Sequence, residues 1–383
     1  MTRVVVVGGG IAGLTLAHAL LARGIEVQVL ERAPVLREVG AGLLVAANAM
    51  RVFSALGLAE ALTKAGARLT RGVLAAPDGR ELSVGDVARV ERELREPSLG
   101  MHRGVFHGEL ARALPEGVVR LGAEVVDVED RAVVLTDGSR VEGDVVVGAD
   151  GIRSRVRERL FGAAPLREAG QSCWRGLVPV DAVPVGHPAR REFVETWGRG
   201  ARFGTIPLGG GWMSWHAYFR RWREPDVDPA AAREMLLAVF GGWHDPIRRV
   251  LEAADHGITL RTENVDRDPL TTWVRGRVVL LGDAAQPITP NIGQGAAMAV
   301  EAAWVLAREL GQRPTVEDAL AAYEAARKPR QERVLRVSRF VGRWASVGLP
   351  VAKHLRDLAM LATPAPVAWR TTLGVLDFPL GDA

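Results

Sequence analysis

One strand-to-helix turn holds the residues of this sequence that are best suited to chemistry. An apolar strand is predicted over 277–281 and a helix over 296–310, and a loop that begins with Gly282 and Asp283 joins them through several prolines and glycines. Such a turn can place a carboxylate on a sugar-like hydroxyl and direct a helix N-terminus at an anionic ring. Both features suit a flavin, which carries a negative charge when it is reduced.

A second turn, near the N-terminus, has the spacing of a nucleotide-binding loop. It follows a β-branched strand predicted over 4–7 and opens an apolar helix. Gly8 permits the tight turn, Gly10 lets the backbone approach a pyrophosphate, and Gly13 allows close helix–strand packing. Glu31 ends the next strand, where it can accept hydrogen bonds from an adenosine ribose. In this βαβ context the glycines predict dinucleotide binding, with a purely structural turn as the alternative.

The composition is that of a globular protein. The 383 residues are 48% hydrophobic and 25% charged, and this length indicates two domains around a sizeable core. We expect no transmembrane segment, because no window resembles roughly 20 uninterrupted apolar residues. The first strand begins at Arg3, so we also expect no signal peptide. Cys173 is the only cysteine, which excludes an internal disulfide and favours a cytoplasmic location; no cluster of metal ligands is visible.

The charge pattern argues against a nucleic-acid partner. The net charge is +4, but the arginines are scattered among acids and form no basic run. A basic interior pocket for an anionic substrate, or for the phosphates of NAD(P)H, is the better interpretation.

The remaining sequence alternates between two structural patterns. We predict an α/β fold with a Rossmann-like nucleotide domain and an antiparallel β-sheet substrate domain, interleaved along the chain, with the ligand between them. The nucleotide domain comprises 1–70, 98–165 and 264–330, the substrate domain 71–97 and 166–263, and a helical segment 331–383. In the first half we further predict a hairpin of 71–76 with 80–84, an irregular charged segment 85–99, a helix over 109–114, and strands over 118–128 and 132–135. In the second half we predict tryptophan-rich strands over 171–219, a helix over 230–240 and irregular chain to 268. Helices over 316–326 and 331–361, with a break near 348–350, complete the prediction.

With these motifs in place, the sequence resembles the FAD-dependent aromatic-ring hydroxylases, the para-hydroxybenzoate hydroxylase-like single-component monooxygenases. The N-terminal glycines match the first family motif. Asp150-Gly151, followed by Ser154 and Arg157, matches the second, and Gly282-Asp283 with its proline loop matches the third. Three motifs in family order make the resemblance specific, and it covers roughly residues 2–340.

The resemblance implies which residues hold FAD. Glu31 would bind the adenosine ribose, Asp283 the ribityl chain and Arg103 the FAD backbone, while Asp150 would support the pyrophosphate. For Asp150 and Asp283, helix capping is the alternative role. Gly40 to Leu43 would permit movement of the flavin. The complete implied set is Gly8, Gly10, Gly13, Glu31, Arg32, Gly42, Arg103, Asp150, Gly282, Asp283, Pro290, Gly293, Gln294 and Gly295.

The resemblance also implies the reaction. NAD(P)H, bound transiently, would reduce FAD, O2 would form a flavin C4a-hydroperoxide, and the distal oxygen would pass to a small aromatic or polyketide-like substrate. A monomer or homodimer is expected. An epoxidase or N-oxygenase of the same family remains an alternative, as does a non-enzymatic regulator on the same fold. A flavin-dependent halogenase is disfavoured, because its WxWxIP motif and catalytic lysine are not visible.

Near the substrate, the resemblance points to Arg202, Ser214, Asn291 and Pro290 as catalytic-site residues. Urate hydroxylases of the family carry Arg, Tyr and Asp at the first three of these positions, so urate is an improbable substrate here. Gln286 stands where the family usually has a histidine, which removes a group that titrates near neutral pH. Ser214 shares one face of its strand with Trp212, His216 and Tyr218, but the sequence does not show which face meets the substrate.

Overall fold

The computed structural model of the protein describes residues 2–36, 41–220, 229–254 and 260–381. Gly40, predicted to help the flavin move, lies outside these ranges. None of the helices in the described part of the chain is long and apolar enough to cross a lipid bilayer.

The strands, in chain order, are β1 (Arg3–Val7), β2 (Glu26–Glu31), β3 (Gly42–Val45), β4 (Ala67–Arg68), β5 (Arg71–Ala75), β6 (Glu81–Asp86), β7 (Leu99–His102), β8 (Val119–Leu121), β9 (Val125–Val128), β10 (Ala132–Leu135), β11 (Arg140–Glu142), β12 (Val145–Gly148), β13 (Arg167–Pro179), β14 (Phe193–Trp197), β15 (Ala201–Pro207), β16 (Trp212–Arg220), β17 (Leu260–Asp266), β18 (Val274–Arg275) and β19 (Val278–Leu280).

The α-helices are α1 (Ile11–Leu21), α2 (Ala47–Ala55), α3 (Ala59–Ala65), α4 (Val87–Leu94), α5 (Arg103–Arg112), α6 (Arg155–Phe161), α7 (Pro229–Phe240), α8 (Ile247–Ala253), α9 (Gly295–Gln312), α10 (Val316–Ala345), α11 (Pro350–Leu361) and α12 (Ala365–Leu376).

A six-stranded sheet in the order β18-β19-β12-β1-β2-β8 forms the nucleotide side of the molecule. Its strands from β19 to β8 are parallel, and only β18 runs antiparallel. The central strands are runs of valine that are completely buried at Val4–Val6 and Val145–Val147, as expected for a sheet covered on both faces. The carboxyl ends of β1, β12 and β19 therefore meet at one edge, and the three motif turns follow these three strands.

A second sheet of seven strands, in the order β17-β13-β16-β15-β14-β5-β6, forms the other side. Its β5 and β14 are parallel and its remaining pairs antiparallel. One face packs into a separate core with α7 and α8 that includes Trp215, Phe203 and Phe240. The predicted α/β class with a Rossmann-like sheet and a β-rich second part is confirmed. The predicted domain boundaries stay a prediction.

Several sequence expectations were wrong in detail. The charged segment 85–99 is largely the helix α4, which Asp86 caps by accepting from Arg89 N and which the Arg89–Glu93 pair supports. The predicted strand over 118–128 is split at Gly122, where φ is +66°, so β8 joins the parallel sheet while β9 pairs with β10. Helix α5 already begins at Arg103.

The chain between α7 and residue 268 was predicted to be irregular, but it contains α8 and β17. The C-terminal region also differs, because α10 runs without interruption through Pro329 to Ala345. The break follows at Ser346–Leu349, and a further helix, α12, was not predicted.

A buried ionic cluster joins α9 to α10 and α2. The carboxylate of Glu301 is fully buried, lies 2.8 Å from the guanidinium of Arg327 and 2.7 Å from that of Arg330, and accepts from Asn48 at 2.7 Å. Two cations and an amide thus converge on one acid, which locks three helices behind the nucleotide sheet.

We predict that Glu301→Gln lowers the free energy of unfolding by about 3 kcal/mol, because it leaves buried guanidinium groups without their counter-charge. Chemical denaturation measures this change. As a matched control, Glu317→Gln removes an exposed partner of Arg277 and should cost less than about 1 kcal/mol. Equal effects of the two substitutions would contradict the role given to the buried cluster.

Candidate functional site

The turn between β1 and α1 is shaped by the packing of its glycines. Gly8 has φ +111°, and a Cβ there would lie 2.5 Å from Ala149 O; a Cβ at Gly13 would lie 2.0 Å from Gly8 O. A Cβ at Gly10 would meet no protein atom within 4 Å. The protein itself therefore requires glycine at 8 and 13, whereas the space in front of Gly10 is open to a ligand.

Glu31 holds this turn from the end of β2. One carboxylate oxygen accepts from Gly9 N and the other from Ala33 N, both at 2.8 Å. The neighbouring Arg32 is exposed. The ring of His107, on α5, makes a 2.6 Å hydrogen bond with Gly9 O, a contact that the sequence did not indicate.

The second turn follows β12 and contains Asp150. One oxygen of this carboxylate caps α6, accepting from Arg155 N at 2.7 Å and from Val156 N at 3.2 Å. The other oxygen is buried and has no hydrogen-bond partner in the described structure. A buried acceptor without a partner is costly, so this atom indicates that a ligand donor completes the turn. Capping and ligand binding thus use different oxygens of Asp150.

The third turn follows β19 and begins at Gly282, which has φ +61°. The side chain of Asp283 is exposed to solvent, yet protein atoms crowd its carboxyl group closely enough to desolvate it. This desolvation raises the pKa of Asp283 to about 6, although the positive charges of Arg103 and Arg157 oppose the shift. The electrostatic coupling to Arg103 places the start of α5 near this carboxylate.

Arg157 connects the second turn to the third. Its guanidinium donates to Ala284 O at 2.9 Å and to Ile152 O at 2.7 Å. Burial and the nearby charge of Arg267 lower its pKa to about 10, so it remains charged at neutral pH. A buried cation therefore links the two turns, in addition to the pairing of β12 with β19 from which they emerge.

The loop after Asp283 ends at the start of α9. Pro290–Ile292 form a 3-10 turn, Gly293 has φ +64°, and Gly295 begins the 18-residue helix. The first turn of α9 contains no acid and its N-cap residue Gln294 makes no side-chain cap, so its N–H groups and the positive end of the helix dipole are free to stabilise a negative charge. Gln294 instead accepts from Asn48 at 3.0 Å.

The second sheet meets this loop through Arg202 and Ser214. Arg202 is completely buried, donates to Asn291 Oδ1 at 2.8 Å, and lies 4.2 Å above the ring of Tyr218. Ser214 Oγ accepts from Gly42 N at 3.0 Å and donates to Gly176 O at 3.2 Å. The face of β16 that carries Ser214 and Tyr218 is thus the one directed at the nucleotide side, which the sequence left open.

The first 338 residues match the family model described as FAD binding domain. The protein belongs to the FAD-dependent aromatic-ring hydroxylases, a family of monooxygenases. It is 41% identical over 332 residues to aurachin C monooxygenase/isomerase of Stigmatella aurantiaca, covering 85% of each chain. It is 34% identical over 358 residues to 6-hydroxynicotinate 3-monooxygenase of Pseudomonas fluorescens, covering 88% of this chain and 90% of that one.

Solved structures agree with this assignment. Klebsiella pneumoniae HpxO complexed with FAD and uric acid superposes with a TM-score of 0.89 at 27% identity, covering 98% of this chain and 96% of that one. A salicylate hydroxylase substrate complex superposes with a TM-score of 0.78 at 25% identity, covering 99% and 96%. The predicted family and its cofactor FAD are confirmed.

The residues of this hydroxylase suit FAD. The open space at Gly10, the unpaired oxygen of Asp150 and the uncapped start of α9 all lie at the turns that follow the parallel strands. The individual FAD contacts of Glu31, Asp283 and the other residues implied by the sequence stay predictions.

Gln286 stands where the family usually has a histidine, and here it makes hydrogen bonds within the protein. Its side chain is 1% exposed and donates to Arg267 O at 2.9 Å. Its backbone oxygen accepts from Gln331 of α10 at 3.0 Å. Gln286 therefore ties the third turn to α10 and to the chain just after β17.

Glu195 is a residue of this site that the sequence analysis missed. It is buried in β14 beneath Arg202, which lies 3.4 Å away, and it accepts from Trp197 Nε1 at 2.7 Å and contacts His216 Nε2 at 3.2 Å. Desolvation would raise its pKa, but Arg202 and His216 outweigh that effect and lower the pKa to about 2. The signal in the sequence was an acid in the middle of the otherwise uncharged strand Phe193–Trp197.

We predict that Gly10→Ala weakens FAD binding without affecting folding, whereas Gly13→Ala destabilises the fold. Gly10 has φ −77°, which alanine adopts freely, so Gly10→Ala should fold normally but bind FAD at least about tenfold more weakly. Gly13→Ala should lower the free energy of unfolding by about 2 kcal/mol through its clash with Gly8 O. FAD titration and thermal unfolding of both apoproteins measure this. Unchanged FAD affinity of Gly10→Ala would contradict the assignment of that space to the cofactor.

We predict a pH-dependent gain of stability in the Asp283→Asn apoprotein. The pKa of Asp283, about 6, lies above its ordinary value of 3.8, so its ionisation destabilises the fold progressively as pH rises between these values. Asp283→Asn should therefore raise the melting temperature at pH 7, have little effect below about pH 4, and weaken FAD binding about tenfold.

Asp137→Asn is the control for this experiment. Hydrogen bonds from Ser139 lower the pKa of the Asp137 carboxyl, so its replacement should give no stability gain at pH 7. A melting temperature of the Asp283→Asn apoprotein below that of the wild type at pH 7 would refute the desolvation account.

Proposed function

We propose that this protein is an NAD(P)H- and O2-dependent FAD monooxygenase that hydroxylates a small, electron-rich aromatic ring. The hydrogen bond between Arg202 and Asn291 is the observation that supports this most directly. It joins the sheet to the loop 290–295, so a substrate on this face would lie beside the part of the loop where the resemblance places the flavin ring. When bound, FAD accepts electrons from NAD(P)H and activates O2.

The protein would orient the substrate and exclude water. Arg202 and Asn291 would position the flavin-side loop, and Pro290 would shape the wall next to it. Ser214 would hold Gly42, and hence β3, against the sheet. These side chains bind to one another and to the backbone, so their proposed roles are positional.

Among the described side chains on this face of the sheet, none is an obvious general acid or base for the reaction. Glu195 is buried and held ionised at neutral pH, and His216 is engaged with it. Arg202 is held by Glu195 and Asn291. We therefore infer a substrate whose ring is already activated by its own nitrogen or hydroxyl substituents.

Nitrogen heteroaromatics are the proposed substrate class. Two relatives are named for such rings: 6-hydroxynicotinate 3-monooxygenase, and 2-heptyl-3-hydroxy-4(1H)-quinolone synthase of Pseudomonas aeruginosa, which is 34% identical over 378 residues and covers 94% of each chain. The cytoplasmic location, the monomeric or dimeric state and the improbability of urate stay predictions.

We predict that the purified protein takes up FAD, turns yellow, and oxidises NADH or NADPH at least about tenfold faster when a 4-quinolone or hydroxypyridine is present. Binding of the correct ring should favour the arrangement of substrate and flavin in which the reaction proceeds. O2 consumption should therefore rise in parallel with NAD(P)H oxidation. Product masses should show one added oxygen, and the position of that oxygen distinguishes ring hydroxylation from epoxidation or N-oxygenation. Urate serves as the negative control. A colourless protein that cannot be reconstituted with FAD would rule the proposal out.

A further inference from the structure

The helix α11 has an inverted distribution of polarity. Four large apolar side chains point to solvent: Val351 is 73% exposed, Leu355 58%, Leu358 56% and Leu361 45%. Their spacing places them on one stripe of the helix. The opposite face carries charged residues, and Arg356 and Asp357 are 0% and 2% exposed. Helices on the surface of a globular protein normally turn their apolar stripe inward.

Buried polar contacts hold α11 in this orientation. The guanidinium of Arg356 donates to Trp197 O at 3.0 Å and to Gly198 O and Ala345 O at 3.2 Å each, and it contacts Asp357 at 2.7 Å. Rotation of the apolar stripe inward would expose or unpair this ion pair and break its bonds to the sheet and to α10. The outward direction of the stripe is therefore a fixed feature of the fold.

Further exposed apolar side chains lie on both neighbours of α11 in the chain. At the end of α10, Phe340 is 62% exposed and stacks on Trp344, with 6.1 Å between ring centroids. In the connection to α11, Leu349 is 70% exposed, and in α12 Val367 is 51% exposed. Large exposed apolar residues are thus concentrated in the C-terminal helices, and such concentrations mark interaction surfaces.

The charge of the same region indicates the kind of partner. Residues 333–376 contain seven lysines and arginines and a single acid, the buried Asp357, although Arg356 is itself buried and Arg339 is paired with Asp266 and Asp268. Arg343, beside Phe340 and Trp344 in sequence, is exposed, as are Arg333 on α10 and Arg370 on α12. A protein partner would need a matching acidic and apolar surface, whereas an anionic lipid bilayer supplies negative headgroups above an apolar layer.

We infer that α11 and its flanking residues form a peripheral docking surface for an anionic phospholipid bilayer. Val351, Leu355, Leu358 and Leu361 would enter the headgroup–acyl boundary with the helix parallel to the membrane plane. The exposed arginines would contact the anionic headgroups. This surface is separate from the cofactor turns, so the inference does not depend on the proposed substrate or reaction.

The test is flotation of the FAD-loaded protein with two kinds of vesicle, one of equal parts phosphatidylglycerol and phosphatidylcholine and one of pure phosphatidylcholine. The wild type should float with the anionic vesicles, less with the neutral ones, and less at high salt because exposed charges are screened. Leu355→Glu/Leu358→Glu should reduce partitioning into anionic vesicles about a hundredfold, since two large apolar side chains no longer enter the bilayer.

The matched control is Val185→Glu, which changes an apolar residue that is 91% exposed on a different part of the chain. It should float like the wild type, and unchanged FAD content and melting temperature would show that all variants are folded. Absence of flotation with anionic vesicles, or equal flotation of the double variant, would overturn the inference. A homodimer that dissociates in the double variant without any vesicle binding would show instead that a second copy covers this surface, and would also overturn it.

Discussion

The arrangement of the cofactor turns depends on the buried guanidinium of Arg157. Its bonds to Ile152 O and Ala284 O join two turns that are more than a hundred residues apart in the chain. Without a charged group that can donate in two directions, those carbonyl oxygens would be buried without partners. Burial lowers its pKa only to about 10, so the link persists across the physiological pH range. Together with the pairing of β12 and β19, this contact sets the positions of Asp150 and Asp283 relative to a shared ligand.

A second buried cation does the same for the sheet and the loop before α9. Arg202 pairs with Glu195 beneath it and reaches out of the sheet to Asn291. Asn291 in turn donates to Thr289 and to Ser338 O of α10. Sheet, loop and C-terminal helix thus share one network of hydrogen bonds. Two arginines, one on each side of the site, relate the nucleotide fold to the surface on which a substrate would bind.

Local motifs could be predicted from the sequence, and long-range contacts could not. The glycine turn at 8–13 and the turns at Asp150 and Asp283 each follow a buried strand, and this local context is visible in the chain. The acid at 195 and its partners are separated from the loop by much of the sequence, so only the fold brings them together. Helix α4 was missed because its stability comes from an Asp86 cap and ion pairs around one buried valine, not from an apolar stripe.

The decisive measurement is a crystal structure of the FAD-loaded protein, because it shows whether the three turns and the loop that Arg202 contacts form one flavin site. We expect electron density for the flavin ring against the loop 290–295 and on the side of the sheet that carries Ser214. We also expect a ligand donor on the unpaired oxygen of Asp150 and an intact bond between Arg202 and Asn291. FAD bound elsewhere, or a flavin ring remote from this loop with that bond broken, would contradict this expectation.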